Sequence, residues 1–197
     1  MKLDGIYRGK VLATDATTDS KLGRVKVEVY PYLIGVSTAR ALGEVVEGIA
    51  TEALPWAYPA FSLFSGSGLE RGSFAVPEVG SYVFVFFEAG DVYQPVYFAE
   101  APCGSGEGAD GIPQEALEHY PYTRVFKTGT GITFAITGEE DNNTIVVTHP
   151  SGTTISVDNE GTVSISSEKD IIINASNNVS VTAKTVQITG TTEIDLN

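Results

Sequence analysis

The last 45 residues, 153–197, read TTISVDNEGTVSISSEKDIIINASNNVSVTAKTVQITGTTEIDLN, and they decide the fold of the C-terminal part of the chain. Aliphatic residues recur there in pairs, and one residue separates the two members of each pair. Successive pairs begin 8, 8, 8, 7 and 8 residues apart, which is an internal repeat. The paired residues are Ile155 and Val157, Val163 and Ile165, Ile171 and Ile173, Val179 and Val181, Val186 and Ile188, and Ile194 and Leu196.

The residue inside a pair is polar in five of the six repeats, so each repeat predicts a short strand with one apolar face and one polar face. Turn residues fill the gaps between the pairs, as in DNEG at 158–161 and SNN at 176–178. A single-chain solenoid needs roughly 20 residues per turn, so six octads would give only about two poorly covered turns. Three copies wound about one axis would bring three apolar pairs into every layer. The repeat therefore predicts a homotrimer with the twelve paired residues in its core.

Residues 1–102 are rich in Val, Tyr and Phe in alternation, with Gly and Pro between the runs, which is typical of β structure. Four runs predict strands: GIYRGKVLAT at 5–14, GRVKVEVYPY at 23–32, GSYVFVFFEAG at 80–90 and QPVYFAEAP at 94–102. Gly90 and Asp91 between the last two runs predict a hairpin. About five strands in about 100 residues favour a small barrel of the oligonucleotide/oligosaccharide-binding (OB) architecture.

Two of these runs differ in their faces. In GRVKVEVY the residues Val25, Val27 and Val29 alternate with charged residues, which predicts one buried face and one face in water. In YVFVFFE, at 82–88, both faces are apolar, as in a central barrel strand or a strand at an interface.

The sequence thus predicts an all-β protein in four parts: an OB-fold domain at 1–102, a linker at 103–123, a β-hairpin neck at 124–153 and an octad-repeat triple-stranded β-helix at 154–197. The linker is rich in Gly, Pro and acidic residues, and its stretch GIPQEALEHY predicts the one helical turn of the chain.

The net charge is -13, from 12 Lys and Arg against 25 Asp and Glu, which argues against nucleic acid as a partner. The single cysteine, Cys103, cannot form an intramolecular disulfide and is expected to be an inert thiol. No apolar run approaches the roughly 20 residues of a membrane span, and no signal peptide is recognisable. We therefore expect a soluble chain made in a cytoplasm.

Candidate chemical sites are weak. The sequence has no Gly-x-Ser-x-Gly elbow and no Walker motif. GEED at 138–141 is read as a solvated turn, and His119 and His149 as turn or linker residues, so the sequence predicts no catalytic residue, metal or cofactor. Trp56 is either a stacking platform for a ligand or, in the favoured interpretation, a packing residue.

A loop-like segment, AFSLFSGSGLERGSF at 60–74, contains three large apolar residues that look exposed. We expect them to contact a neighbouring chain or another protein of the assembly. They are Phe61, Leu63 and Phe64.

Two stretches carry a resemblance to a known family. RGSFAVPEVGSYVFVFFEAGDVYQPVYFAEAP, at 71–102, with GRVKVEVYPY and LPWAYPAF before it, resembles the OB-fold domain of contractile-tail central spike proteins. That family includes the baseplate assembly protein V type of bacteriophages and, more distantly, the spikes of type VI secretion. TRVFKTGTGITFAITGEEDNNTIVVTHPSGTTISVDNEGTVSIS, at 123–166, is similar to the passage from OB domain to triple-stranded β-helix.

The resemblance implies a non-enzymatic, homotrimeric needle in a virion's tail baseplate. Its OB domains would dock on a hub protein at the end of the tail tube, and sheath contraction would drive it through the host outer membrane. Unlike some relatives, the chain has no room for a lysozyme domain in its linker and no His-x-His apex for an iron ion. Ile194 and Leu196 would then form a blunt apolar end, for which we expect a separate tip-cap protein.

Two other functions compete with the spike. A trimeric β-helix that binds glycans or depolymerises them would need longer insertions to build a groove, whereas these octads are minimal. A binding module using the OB face would need a basic groove for nucleic acid, which the charge balance disfavours.

Overall fold

The computed structural model describes residues 2–41, 48–61, 73–102, 111–192 and 194. Apart from short helices, the described chain is all-β, as predicted. The strands are β1 Tyr7–Thr14, β2 Val25–Val29, β3 Trp56–Pro59, β4 Tyr82–Phe87, β5 Pro95–Glu100, β6 Thr123–Lys127, β7 Thr133–Glu139, β8 Asn142–Thr148, β9 Thr154–Val157 and β10 Val163–Ser166. The α-helices are α1 Val36–Ala41 and α2 Gln114–Glu118, and 3-10 turns lie at Asp15–Thr17, Thr51–Ala53 and Glu88–Gly90.

The first five strands form a closed barrel in the order β1-β2-β3-β5-β4, which confirms the predicted small barrel. Strand β1 closes it by pairing antiparallel with β2 on one side and with β4 on the other. Strands β3 and β5 pair in parallel, so this contact needs a crossover and not a hairpin.

The barrel core follows the alternation of its strands. Val25, Val27 and Val29 of β2 are fully buried, and Val83, Val85 and Phe87 of β4 point to the same core. The Phe87 ring lies 5.5 Å from the Tyr7 ring in an edge-to-face contact. The core thus combines the β-branched side chains of the strands with the aromatic rings of Phe87 and Tyr97.

The polar face of β2 is less wet than the alternation predicted. Lys26 is only 8% exposed, and its ammonium donates to the carbonyl of Glu52 and lies 4.9 Å from the ring centroid of Trp56. The guanidinium of Arg24 lies 5.1 Å from the same ring. Long cationic side chains can cover an aromatic ring with their stems and are attracted to its π-electrons. The prediction that Lys26 and Arg24 lie in water was therefore wrong.

The outer face of β4 is apolar, as the sequence indicated. Phe84 and Phe86 point out of the barrel, and their rings lie 6.2 and 6.0 Å from the ring of Phe98 on β5. The predicted β4–β5 hairpin is present, and it turns through Ala89 and Gly90, which have φ angles of 52° and 76°. Gly90 suits this left-handed backbone because it has no Cβ.

Two helices bear on the predictions. Helix α2 confirms the helical turn expected in the linker. Helix α1 was not expected, because Val, Ser and Thr are poor helix formers. Its start is fixed from outside by Glu28, whose carboxylate accepts from the Gly35 backbone N–H and the Thr38 hydroxyl, each at 2.7 Å.

The last five strands form a second sheet, an antiparallel meander in the order β10-β9-β8-β7-β6. It runs without a break across residue 153, where the sequence predicted the end of the neck. The sheet meets the barrel at the β6–β7 turn, where the Gly129 backbone N–H donates to Glu78 at 3.3 Å.

Candidate self-assembly surface

The second sheet has one apolar face, which we call the neck face. The register aligns its side chains in two rows across the five strands. One row holds Phe126, Phe134, Val147, Ile155 and Ile165, and the other holds Ile136, Ile145, Val157 and Val163. Most of these side chains are exposed, with Phe126 at 65% and Val163 at 66%. A contiguous apolar face of this kind marks an interaction site in a folded protein.

The opposite face of the sheet is polar and is partly covered by the chain itself. Thr133 and Thr137 of β7 are buried there, and α2 lies against this face. The Lys127 ammonium donates to Glu115 of α2 at 2.7 Å and holds the pKa of that carboxyl below its ordinary value. In an ordinary antiparallel sheet the rest of the chain packs against the apolar face and leaves the polar face in water. In this sheet α2 packs against the polar face instead.

A cleft of about 410 Å³ lies between α2 and this polar face. Its floor is formed mainly by threonine side chains of β6, β7 and β8, and its wall by Glu115, Glu118 and His119. His119 Nδ1 lies 2.9 Å from a Glu139 carboxylate oxygen, which fastens the end of α2 to the β7–β8 hairpin.

The chain after β10 has a different character. Residues 171–192 belong to no helix or strand, and within the described chain they make no hydrogen bond. Their aliphatic side chains are in water, with Ile173 at 73% exposure. Water can hydrogen-bond the backbone of this exposed segment, but its paired aliphatic side chains gain no burial in the single chain, and its unpaired N–H and C=O groups are free to pair with another chain.

The predicted trimer-core residues fall into these two regions. Ile155, Val157, Val163 and Ile165 lie on β9 and β10, where Val163 is opposite Val157 and Ile165 is opposite Ile155. The pairs from Ile171 to Ile188, and Ile194, lie outside any strand of the single chain, so their strand pairing stays a prediction for an assembled protein. Leu196 lies outside the described residues.

The sequence prediction missed five members of the neck face. They are Phe126, Phe134, Ile136, Ile145 and Val147. A signal was present, because 134/136 and 145/147 are also apolar pairs with one residue between them. Their spacing of 11 residues to each other and 10 to Ile155 hid them from a search for octads.

Other predicted contact and turn residues are placed as follows. Phe61 is partly exposed, and its ring lies 5.2 Å from that of Phe74, while Leu63 and Phe64 lie outside the described residues. His149 occupies the β8–β9 turn, with Nδ1 2.6 Å from the Ser151 hydroxyl.

The GEED stretch forms the β7–β8 hairpin turn, as predicted, and Asp141 takes a φ of 62° there. Among the described residues there is no group of three or more His, Cys, Asp or Glu that could hold a metal ion.

Trp56 belongs to a polar cluster on the barrel, next to Asp15. Burial alone would raise the pKa of the Asp15 carboxyl, but hydrogen bonds from the Leu22 backbone N–H at 2.8 Å and from Arg24 at 3.3 Å lower it below its ordinary value. Arg24 in turn lies over Trp56. Trp56 is half-buried in these contacts, which supports its packing role.

Tyr97 ties the same region to β5. Its hydroxyl donates to the Gly23 carbonyl at 2.6 Å, and burial, with a smaller contribution from the Asp15 charge, raises its pKa to about 12. In the unfolded chain a tyrosine ionises near pH 10. Above pH 10 the unfolded chain therefore releases a proton that the folded chain keeps, and the free energy of unfolding falls as the pH rises.

We expect Tyr97→Phe to remove this dependence on pH. At pH 8 the variant should be less stable by about 1 kcal/mol because it lacks the bond to Gly23. At pH 11 the wild type should have lost up to about 1.4 kcal/mol, so the difference between the two proteins should close. Urea unfolding followed by the fluorescence of Trp56, the single tryptophan, measures both values. An equal difference at both pH values would contradict the assigned ionisation.

Within the described residues, no helix has the length and apolar character needed to cross a membrane. Comparison of the sequence with protein-family models and with curated proteins gave no significant match.

Proposed function

We propose that the chain is the structural central spike of a contractile-tail baseplate and acts as a homotrimeric needle. The observation that carries the proposal is the tail at 171–192, whose aliphatic pairs are exposed and whose backbone makes no hydrogen bond within the described chain. Two further copies would supply both an apolar core and backbone partners. A trimer closed in this way has no free lateral strand edge.

The barrel supports the same proposal. Its strand order, β1-β2-β3-β5-β4 with β1 paired to β4, fits an OB-fold domain. In the spike this domain would dock on the hub protein at the end of the tail tube. The needle would extend away from it toward the host outer membrane, with a tip-cap protein over its C-terminal end.

The proposed action is mechanical and non-enzymatic. A fully paired β structure with a dry core is rigid, which suits an object that transmits force along its axis. The outward positions in the octads are mostly short polar residues, so the lateral surface of such a needle would remain solvated. These positions are Ser156, Ser164, Ile172, Ser180, Gln187 and Asp195.

The first test is the mass of the full-length chain in solution by light scattering. We expect three times the chain mass of 20.9 kDa, with the sedimentation behaviour of an elongated particle. A monomer would contradict the proposal. A second test places the chain in its assembly. An antibody against the chain should label the baseplate end of contractile particles in electron micrographs. Labelling along the sheath of the particle, or no labelling of the particles, would count against a spike.

A further inference from the structure

The neck face is a subunit interface in its own right. We infer that it packs against the same face of two further copies of the chain, so that contact between subunits begins at Phe126 and not at the first octad. This inference rests on the proposed trimer. It adds to the tail a second region of contact, whose strands are already formed within each chain.

The first argument is that nothing in the described chain covers the neck face. Helix α2 lies on the opposite, threonine-rich face and is fastened there by Lys127 and Glu115. Phe126, Phe134 and Ile145 remain exposed on the other side of the same strands. The chain thus covers the face that water could solvate and leaves the apolar face for a partner.

The second argument is continuity with the tail. The rows of the neck face include Ile155 and Ile165 of the first two octads, so the face and the repeat form one surface. Only residues 167–170 separate β10 from Ile171. The five steps from Ser166 to Ile171 can span at most about 17 Å. Copies whose tails share a core must therefore hold their β10 strands close to the same axis.

The third argument identifies the partner as the chain itself. Among the side chains on this side of the sheet, only Arg124, opposite Ile136 at the rim, carries a charge. A chain with a net charge of -13 repels its own copies over most of its surface, but the neck face has no acidic side chain to oppose their approach. A nearly uncharged, apolar face is typical of obligate interfaces between identical subunits.

One experiment compares two phenylalanine substitutions in the full-length chain. Phe134 on β7 and Phe98 on β5 have nearly equal exposure in the single chain, 41% and 39%. We expect Phe134→Asp to raise the concentration at which the trimer dissociates at least tenfold, because it places a carboxylate in the interface, while Phe98→Asp changes it less than twofold. Equal effects of the two substitutions would overturn the inference.

A second experiment uses the unmodified protein, so it does not depend on the folding of a variant. In the assembled full-length chain, oxidation by hydroxyl radicals followed by mass spectrometry reports the solvent access of each phenylalanine. In the single chain Phe126 is more exposed than Phe98. We expect the reverse order of labelling in the trimer, with Phe126 at least several-fold lower. Labelling of Phe126 above Phe98 in the trimer would overturn the inference.

The outcomes separate this inference from the proposed function. A full-length monomer removes the trimer and with it both proposals. A trimer in which Phe126 and Phe134 are freely labelled keeps the spike and removes only the neck interface. A trimer with both protected supports both proposals.

Discussion

A full-length chain carrying Val179→Asp and Val181→Asp is expected to be a monomer at micromolar concentration, whereas Ser180→Asp leaves the trimer intact. The two valines form one apolar pair of the tail, and both are exposed in the single chain. In a trimer each of the three chains would contribute both valines, so six valines would be buried in one part of the core. At about 1.5–3 kcal/mol for each buried valine, the substitution removes on the order of 10 kcal/mol from assembly.

The introduced carboxylates add to this loss. A carboxylate moved from water to an apolar core without a partner is strongly unfavourable, so the charged chains should remain apart. Ser180 lies between the two valines in sequence, and in the predicted strand alternation would direct its side chain to the opposite face. Ser180→Asp is therefore a matched control, because it introduces the same carboxylate at a position that would face water.

Light scattering and sedimentation of the three proteins measure this effect. A trimer in the double variant would show that the paired valines are not in a core, and dissociation by Ser180→Asp would show that the predicted inward and outward positions are reversed. The barrel should be unaffected in all three, and the fluorescence of Trp56 checks that it is folded.

The barrel could be predicted from the sequence because its strands follow local rules. Alternation in β2 was sufficient to place its buried valines, and the turn at Gly90 and Asp91 to place the hairpin, whereas the apolar run of β4 did not show which of its two faces points into the core. The covered state of Lys26 could not be predicted, because it depends on Trp56, which is 30 residues away in sequence and adjacent only after β2 pairs with β3. Helix α1 was missed because its residues are poor helix formers, and its start is fixed by a side chain outside the helix, Glu28 of β2.

The candidate interface could be predicted only where its spacing is regular. The octad spacing predicted Ile155 and Val163 as inward residues, and the register of β9 and β10 places them on one face of the sheet. Phe126 and Phe134 face the same way, but β7 and β8 have 7 residues each, against 4 in β9 and in β10, so the apolar pairs of β7 and β8 recur at longer intervals and only strand pairing aligns the rows. A search for a fixed period finds strands of equal length, whereas a sheet accommodates strands of unequal length.

Phe87→Ala is expected to lower the free energy of unfolding of the barrel by about 3–5 kcal/mol, the usual effect of truncating a buried phenylalanine. Phe87 is fully inside the core and in contact with Tyr7, so its removal leaves a cavity lined by valines that cannot collapse without shifting β1 or β2. Phe86→Ala is the matched control, because Phe86 is the next residue of β4 and its ring points outward and is partly in water. We expect that variant to lose less than about 1.5 kcal/mol.

Urea unfolding followed by Trp56 fluorescence measures both losses, and equal losses would contradict the assigned inward and outward faces of β4.

The same variants test how far the stability of the barrel and the assembly of the second sheet depend on each other. The barrel core contains no residue of β6–β10, and among the described residues one hydrogen bond, from Gly129 to Glu78, joins the barrel to the second sheet. Phe87→Ala should therefore destabilise the barrel while the mass of the trimer stays the same, since the neck face and the octads all lie beyond residue 123.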